Sequence, residues 1–249
     1  MKVAVCQLPD VQDDVARAVE LMGVWTREAA RQGAGLVCFP EGILQGYDLH
    51  TAHIARVAME LDSPAFGDVL RSLEPLAPII VFGMLETDCG RYYNTAVAIE
   101  RGRLRARYRK NHLLKPEQAS FVAGADCPVF DAHGTSVALN ICHDLAHASS
   151  VQRAAEAGAR LLVCPCNNLL PRPQAETWKH RHLEIRRQRA REHGLWVATA
   201  EVTGERGDHV ACGPTAIIDP RGEVIAQVPL MEVGMVVVPV QRNQGSQRG

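Results

Sequence analysis

Apolar and polar positions alternate along this chain in two periods, and the switch between them marks the elements. The N-terminal run from Lys2 to Gln7 reads as a strand. It is followed by a helix in which Val11, Val15, Ala18, Met22, Trp25 and Ala29 recur at steps of three and four. Gly33 and Gly35 close that helix. Leu36-Val37-Cys38-Phe39 is then apolar without interruption, as expected of a strand covered on both faces, and Pro40-Glu41-Gly42 ends it. A second helix is predicted from Ser63 as N-cap with Pro64 at its first position, presenting Phe66, Val69, Leu70 and Leu73. Ile79–Leu85 and Tyr92–Glu100, joined by the turn Asp88-Cys89-Gly90, form a predicted hairpin.

Beyond Arg101-Gly102-Arg103 a further strand leads to Arg109-Lys110, and a proline-containing loop runs from Leu114 to about Pro128. Ser136–Ile141 reads as a strand with Cys142 at its end. A helix over Ser150–Ala157, a strand Leu161–Cys164, a long helix Glu176–His193 and a strand Leu195–Ala200 follow. The tail alternates strands and turns: Thr215–Ile218, the turn Asp219-Pro220-Arg221-Gly222, Glu223–Val228 and Met235–Val238. Ten or more strands with about four helices predict layered α/β architecture, and a two-sheet sandwich with helices outside fits the order. Residues 1–240 are expected to form one domain, and the polar stretch Gln241–Gly249 a frayed end.

Charge narrows the functional classes. The 249 residues carry 27 Lys+Arg against 28 Asp+Glu, a formal net charge of −1, which argues against a dedicated nucleic-acid or membrane-surface binder. The segment Glu176–His193 is locally basic but lacks interleaved aromatics, so a solvated or dimer-facing helix is expected there. Several of the eight cysteines sit in apolar, strand-like runs (Cys6, Cys38, Cys164, Cys166), where a free thiol behaves as a small hydrophobe. With no apolar run of membrane-span length and no signal core at the N-terminus, a soluble, cytoplasmic protein is expected.

Chemistry concentrates at three predicted strand ends: Glu41 after GLVCFP, Lys110 after LRARYR and Cys142 after TSVALNI. Each alone is ordinary at such a place. Together they suit acyl transfer, because a desolvated carboxylate can take a thiol proton, and a fixed ammonium with a backbone N–H can stabilise the tetrahedral oxyanion.

These residues resemble the nitrilase superfamily, the carbon-nitrogen hydrolases. The resemblance runs through VAVCQL, GAGLVCFPEGILQGYD, YYNTAVAIERGRL, RYRKNHLLKPEQASFVAG, LNICHDL and GPTAIIDPRGEVIAQ. It implies a four-layer αββα sandwich paired as a homodimer, with Glu41 as general base, Lys110 stabilising the oxyanion and Cys142 as nucleophile. Glu117 matches a second glutamate that positions the lysine and the substrate or water, and the His143 backbone N–H would complete the oxyanion site. The implied reaction is cleavage of a small non-peptide amide through a Cys thioester, with no cofactor and no metal. Asn167 and Asn168 fall in a segment that lines the pocket in this family, and Tyr47 and Trp178 are further pocket candidates; capping or core packing is the alternative for all four. After Cys142-His143-Asp144 many members continue with an Arg-Phe-Pro-Glu type stretch, whereas this chain reads Leu145-Ala146-His147-Ala148-Ser149-Ser150. The missing basic residue argues against N-carbamoyl amino-acid substrates. The short C-terminus argues against a spiral-forming nitrilase, so a compact amidase is expected, with nitrilase or N-carbamoyl amine hydrolase as the alternative.

Other readings compete. His143-Asp144-Leu145-Ala146-His147 resembles the zinc-binding H-E-x-x-H, which needs a helix to align both imidazoles, and a helix would barely have begun there. A Cys-His dyad needs an imidazole facing Cys142, and His143, its direct neighbour, projects elsewhere. Cys164-Pro165-Cys166 reads as a buried strand end rather than a redox pair. A catalytically inactive binding scaffold is the last alternative, disfavoured by retention of all four positions.

Overall fold

The structure is a computed structural model that describes residues 1–240; the expected frayed end, 241–249, lies outside the described residues. In chain order the elements are β1 (Lys2–Pro9), α1 (Val15–Arg31), β2 (Ala34–Cys38), α2 (Thr51–Val57), α3 (Pro64–Leu73), β3 (Ile79–Asp88), β4 (Arg91–Glu100), β5 (Arg103–Arg109), β6 (Val129–Ala132), β7 (Thr135–Leu139), α4 (Ala148–Glu156), β8 (Leu161–Pro165), β9 (Leu169–Pro171), α5 (Arg172–His193), β10 (Trp196–Ala200), β11 (Val202–Arg206), β12 (His209–Ala211), β13 (Ala216–Ile218), β14 (Val224–Gln227) and β15 (Gly234–Pro239). Short 3-10 turns cover Glu117–Ala119 and Cys142–Ala146.

Two sheets result. One runs β5-β4-β3-β2-β1-β11-β12-β9 with β15 also on β1, and the other runs β14-β13-β10-β8-β7-β6. Strict alternation along the central strands builds the layers. Val3, Val5, Leu36, Cys38, Ile79 and Val81 point inward to meet Val137, Leu139, Leu161, Val163 and Ala198 of the opposite sheet. Their neighbours Ala4, Cys6, Val37, Phe39, Ile80 and Phe82 point outward under α1 and α3, against Met22, Ala29, Phe66 and Leu73. On the far side Ala138, Leu162, Cys164 and Val197 meet Val151 and Ala154 of α4 and Ala190 of α5. The order is therefore helix, sheet, sheet, helix, the expected αββα sandwich. Strands buried on both faces explain why the central runs read as continuously apolar.

Local chemistry sets the boundaries. Helix α1 starts at Val15 rather than Val11 because the Asp14 carboxylate accepts the Arg17 N–H at 2.8 Å. Ser63 caps α3 as expected, accepting the Phe66 N–H at 3.2 Å with Pro64 next in line. Helix α5 starts at Arg172, four residues before the expected Glu176, since Pro173 is well placed in a first turn. Strand β7 ends at Leu139 rather than Ile141. The expectation of a solvated or dimer-facing α5 is corrected at two places: Arg186 and Arg189 are buried, and Arg186 pairs with Glu201. No helix among the described residues is long and apolar enough to cross a membrane.

Candidate active site

Three loops leave the strands and are held in place by backbone hydrogen bonds. After β2 the chain turns at Pro40-Glu41-Gly42, held against β3 by Gly83 N–H to Pro40 O at 3.1 Å and Leu44 N–H to Gly83 O at 3.3 Å. A side chain at Gly83 would place a Cβ 2.5 Å from Glu41 Cα and 2.3 Å from Gly42 N, so only glycine allows the approach. Lys110 follows β5. Its N–H donates to Asn94 O and its carbonyl accepts from Gly124 N–H, each at 2.9 Å. The Glu41 N–H donates to Cys166 O at 3.2 Å, which joins the first loop to the end of β8 in the opposite sheet.

Cys142 stands at the first residue of a 3-10 turn with φ of +41°, a left-handed conformation rare for a non-glycine residue. Asp144 holds that strained elbow. Its buried carboxylate accepts Ile141 N–H (3.1 Å), Tyr108 OH (2.8 Å) and His112 N–H (2.8 Å), linking the cysteine turn to β5 and to the segment after Lys110. Asn140 donates to Tyr108 OH (3.2 Å) and Ser150 Oγ (3.1 Å), extending the same lock.

Inside this frame Glu41, Lys110 and Glu117 are all 1 % exposed or less. Lys110 Nζ donates to Glu41 Oε1 at 2.9 Å and to Glu117 Oε1 at 2.7 Å, which leaves one of the three ammonium donors over. Glu117 is saturated, accepting also from Tyr47 OH, Asn94 Nδ2 (3.2 Å) and Leu114 N–H (2.6 Å). Glu41 is not. Asn94 Nδ2 donates to its Oε1 at 2.7 Å, while Oε2 is buried with no hydrogen-bond partner among the described residues. Burial pushes the Glu41 carboxyl up, the Glu117 charge adds to this, and Lys110 opposes it. Burial works against the Lys110 charge, but Glu41, Tyr47 and Glu117 outweigh it and hold the ammonium well above the ordinary lysine range.

The Cys142 thiol is pushed well up, first by its hydrogen bond with Cys166, then by burial and the charge of Glu41; Lys110 pulls it down. It therefore rests protonated and needs a base to react. Cys142 Sγ lies 3.6 Å from Asn168 Oδ1. The Asn168 amide is oriented from behind: its Nδ2 donates to Glu201 Oε1 and its backbone N–H to Glu201 Oε2 at 3.2 Å. Glu201 in turn takes Arg186 Nη2, while Arg186 Nη1 donates to Thr199 Oγ1 (3.1 Å) and Pro214 O.

In front of Cys142 lies a cavity of about 400 Å³, bounded by the cysteine turn, Asn168 and one face of α5. His143, Asn168 and Trp178 line it. Tyr47 instead reaches the buried cluster through Glu117. Asn167 is not brought to the cavity wall, and its Oδ1 caps the turn by accepting Leu169 N–H at 3.2 Å. His143 and His147 approach to 3.3 Å between their Nε2 atoms, and His112 stacks on His147. No group of three or more His, Cys, Asp or Glu side chains among the described residues could hold a metal ion. Cys164 and Cys166 are free and buried. Asn94, Asp144, Arg186 and Glu201 were missed by sequence reasoning; only Asn94, a polar residue inside the apolar run of β4, left a readable signal.

The family model for carbon-nitrogen hydrolases matches residues 2–248. Omega-amidase NIT2 of Homo sapiens is 32 % identical over 233 residues, covering 86 % of this chain and 78 % of the human protein. The (R)-stereoselective amidase of a Pseudomonas species is 27 % identical over 241 residues, covering 95 % and 84 % respectively. Among solved structures, a mutant of the Nesterenkonia AN1 amidase from the nitrilase superfamily superposes with a TM-score of 0.85 at 26 % identity, covering 96 % of this chain and 89 % of that one. A second mutant of that amidase, with glutamine for glutamate, is 25 % identical with a TM-score of 0.85, covering 97 % and 93 %. It shows the result of Michael addition of acrylamide at the active site cysteine.

Proposed function

The chain belongs to the carbon-nitrogen hydrolase family, and from that membership we propose that it is a thiol-dependent amidase in which Cys142 attacks and Glu41 moves the proton. The observation that carries this reading is the buried, unpartnered Oε2 of Glu41 beside an ammonium that is already committed to a second carboxylate. Buried polar atoms are nearly always bonded, so one left bare in a charged cluster marks a place for a transferable proton.

The Cys142 Sγ–H proton passes to Glu41 as the C–S bond forms on the amide carbon. The oxyanion falls to the spare Lys110 N–H and to the His143 backbone N–H, which sits at the start of a 3-10 turn where the first N–H groups lack intrahelical partners. Collapse breaks the C–N bond, and protonated Glu41 returns its proton to the departing nitrogen, releasing ammonia or an amine. Glu41 then deprotonates a water that attacks the thioester, and the acid leaves as the thiol is restored. Glu117 fixes Lys110 throughout, and Asn168 accepts the thiol hydrogen bond in the resting state. The nitrilase and N-carbamoyl alternatives are not favoured.

We further take residues 1–240 as one catalytic unit acting in the cytoplasm as a homodimer, with no nucleic-acid or membrane partner. The free cysteines suit a reducing compartment and the near-neutral charge suits a small-molecule enzyme. Light scattering of the purified chain tests the dimer. The activity is tested by ammonia release across short amides: the parent is active, Cys142→Ala is inactive, and chelation changes nothing. Loss of activity on chelation would transfer the reading to the His143/His147 segment.

A further inference from the structure

The cavity in front of Cys142 has a composition that selects among amides. Its walls are Leu114, Pro116, Leu145, Leu170, Trp178 and Ile185, contributed by three separate segments of the chain. Beside Cys142 the polar groups that reach it are His143, Asn168, Gln174, His182 and Arg186, of which Gln174 is an uncharged amide. Arg186 is the only cation on the wall among the described residues, and both its Nη atoms are committed to Glu201, Thr199 and Pro214. Two imidazoles complete the titratable lining. Burial holds His182 near a pKa of about 3, and burial lowers His143 as well, so both are neutral at physiological pH. Lys115, between two lining residues, is exposed and lies off the wall.

Behind the cavity the charge balance is negative. Glu41 and Glu117 face one lysine, and Glu201 faces one arginine. A carboxylate drawn into this space would lose its hydration, find no free counter-ion and meet charge of its own sign. An alkyl or aryl group would instead cover apolar wall, and about 400 Å³ is room for a small one.

Resting on the amidase reading above, we propose that the substrates are primary amides whose acyl group is apolar and uncharged, and that amides carrying a second, ionised carboxylate are rejected. Trp178, at the mouth on α5 and partly exposed, acts as a specificity residue that covers the far end of the acyl chain.

The experiment compares hexanamide with adipamate, the six-carbon monoamide ending in a carboxylate, by ammonia release, with acetamide as the short reference. Hexanamide is expected to exceed adipamate in kcat/KM by at least on the order of 100-fold, the discrimination an apolar pocket shows against an added polar group. Two variants locate the effect. Trp178→Ala lowers the hexanamide-to-acetamide ratio by about tenfold, the size of a lost apolar contact. Leu170→Arg, which puts a free cation on the wall, shifts the hexanamide-to-adipamate ratio toward adipamate. Equal rates on both six-carbon amides, or preference for adipamate by the parent, would overturn the substrate assignment while leaving the amidase reading intact. Absence of ammonia from all three amides would overturn both.

Discussion

Two buried ion clusters flank Cys142, and they differ in stoichiometry. On one side two carboxylates, Glu41 and Glu117, share a single Lys110, and one carboxylate oxygen is left bare. On the other, Glu201 faces Arg186 one to one, with both oxygens and both Nη atoms hydrogen-bonded. The first cluster holds an excess negative charge that a proton can neutralise. The second is already neutral and has nothing to exchange, so its work is to hold Asn168. Burial alone does not separate a reactive charge from a structural one; the count of partners does.

Removing one carboxylate from each cluster sharpens the contrast. Glu41→Gln is expected to reduce kcat by about 10²–10⁴-fold, the usual worth of a positioned base, while thermal stability at pH 8 is unchanged or higher, because Lys110 keeps Glu117. A clear loss of stability at that pH would contradict the assignment. Glu201→Gln leaves Arg186 charged and buried without a counter-ion, since arginine does not deprotonate. It should cost about 3–5 kcal/mol in urea unfolding, with activity falling less than in Glu41→Gln. If the two variants behave alike, the distinction between the clusters fails.

Smaller effects probe the frame. Gly83→Ala pushes a methyl against the backbone of Glu41 and Gly42, so a destabilisation of about 1–3 kcal/mol with a lowered kcat is expected. Wild-type stability there would show that the Glu41 turn can move. The pH dependence is subtler still. In the proposed role Glu41 must be ionised to accept the thiol proton, and burial raises its pKa. The acidic limb of kcat/KM should therefore lie above the ordinary glutamate value, activity falling as pH drops through it. The same shift means that the folded state binds this proton more tightly than the unfolded chain does. The stability attributable to Glu41 is full below the unfolded pKa and lost as pH rises through the folded one, so any advantage of Glu41→Gln should vanish toward acid. A limb at or below pH 4.5, the unperturbed glutamate value, would remove the burial argument.

Much of this was legible in the sequence, for a physical reason. Central strands buried on both faces must be apolar throughout, so β1, β2, β3, β7, β8 and β10 announce themselves, and the candidate site residues stand where those runs or the adjoining hairpin end. The edge-ward strands β9, β11 and β12 did not. Val202-Thr203-Gly204-Glu205-Arg206 and His209-Val210-Ala211 carry too few apolar residues to set a period, and they become strands by pairing with β1 and one another. Arg186 was hidden because α5 is polar all round, so nothing local tells which arginine turns inward. Glu201 and Asp144 are buried by partners far along the chain, Arg186 and Tyr108, and only tertiary structure supplies those.

The most direct test of the central claim is peptide mapping of the enzyme quenched during turnover of an amide. An acyl group should be found on the peptide containing Cys142, and its yield should fall sharply when Glu41 is replaced by glutamine. An acyl group on another residue, or ammonia release with Cys142 unmodified and replaceable by alanine, would contradict the account.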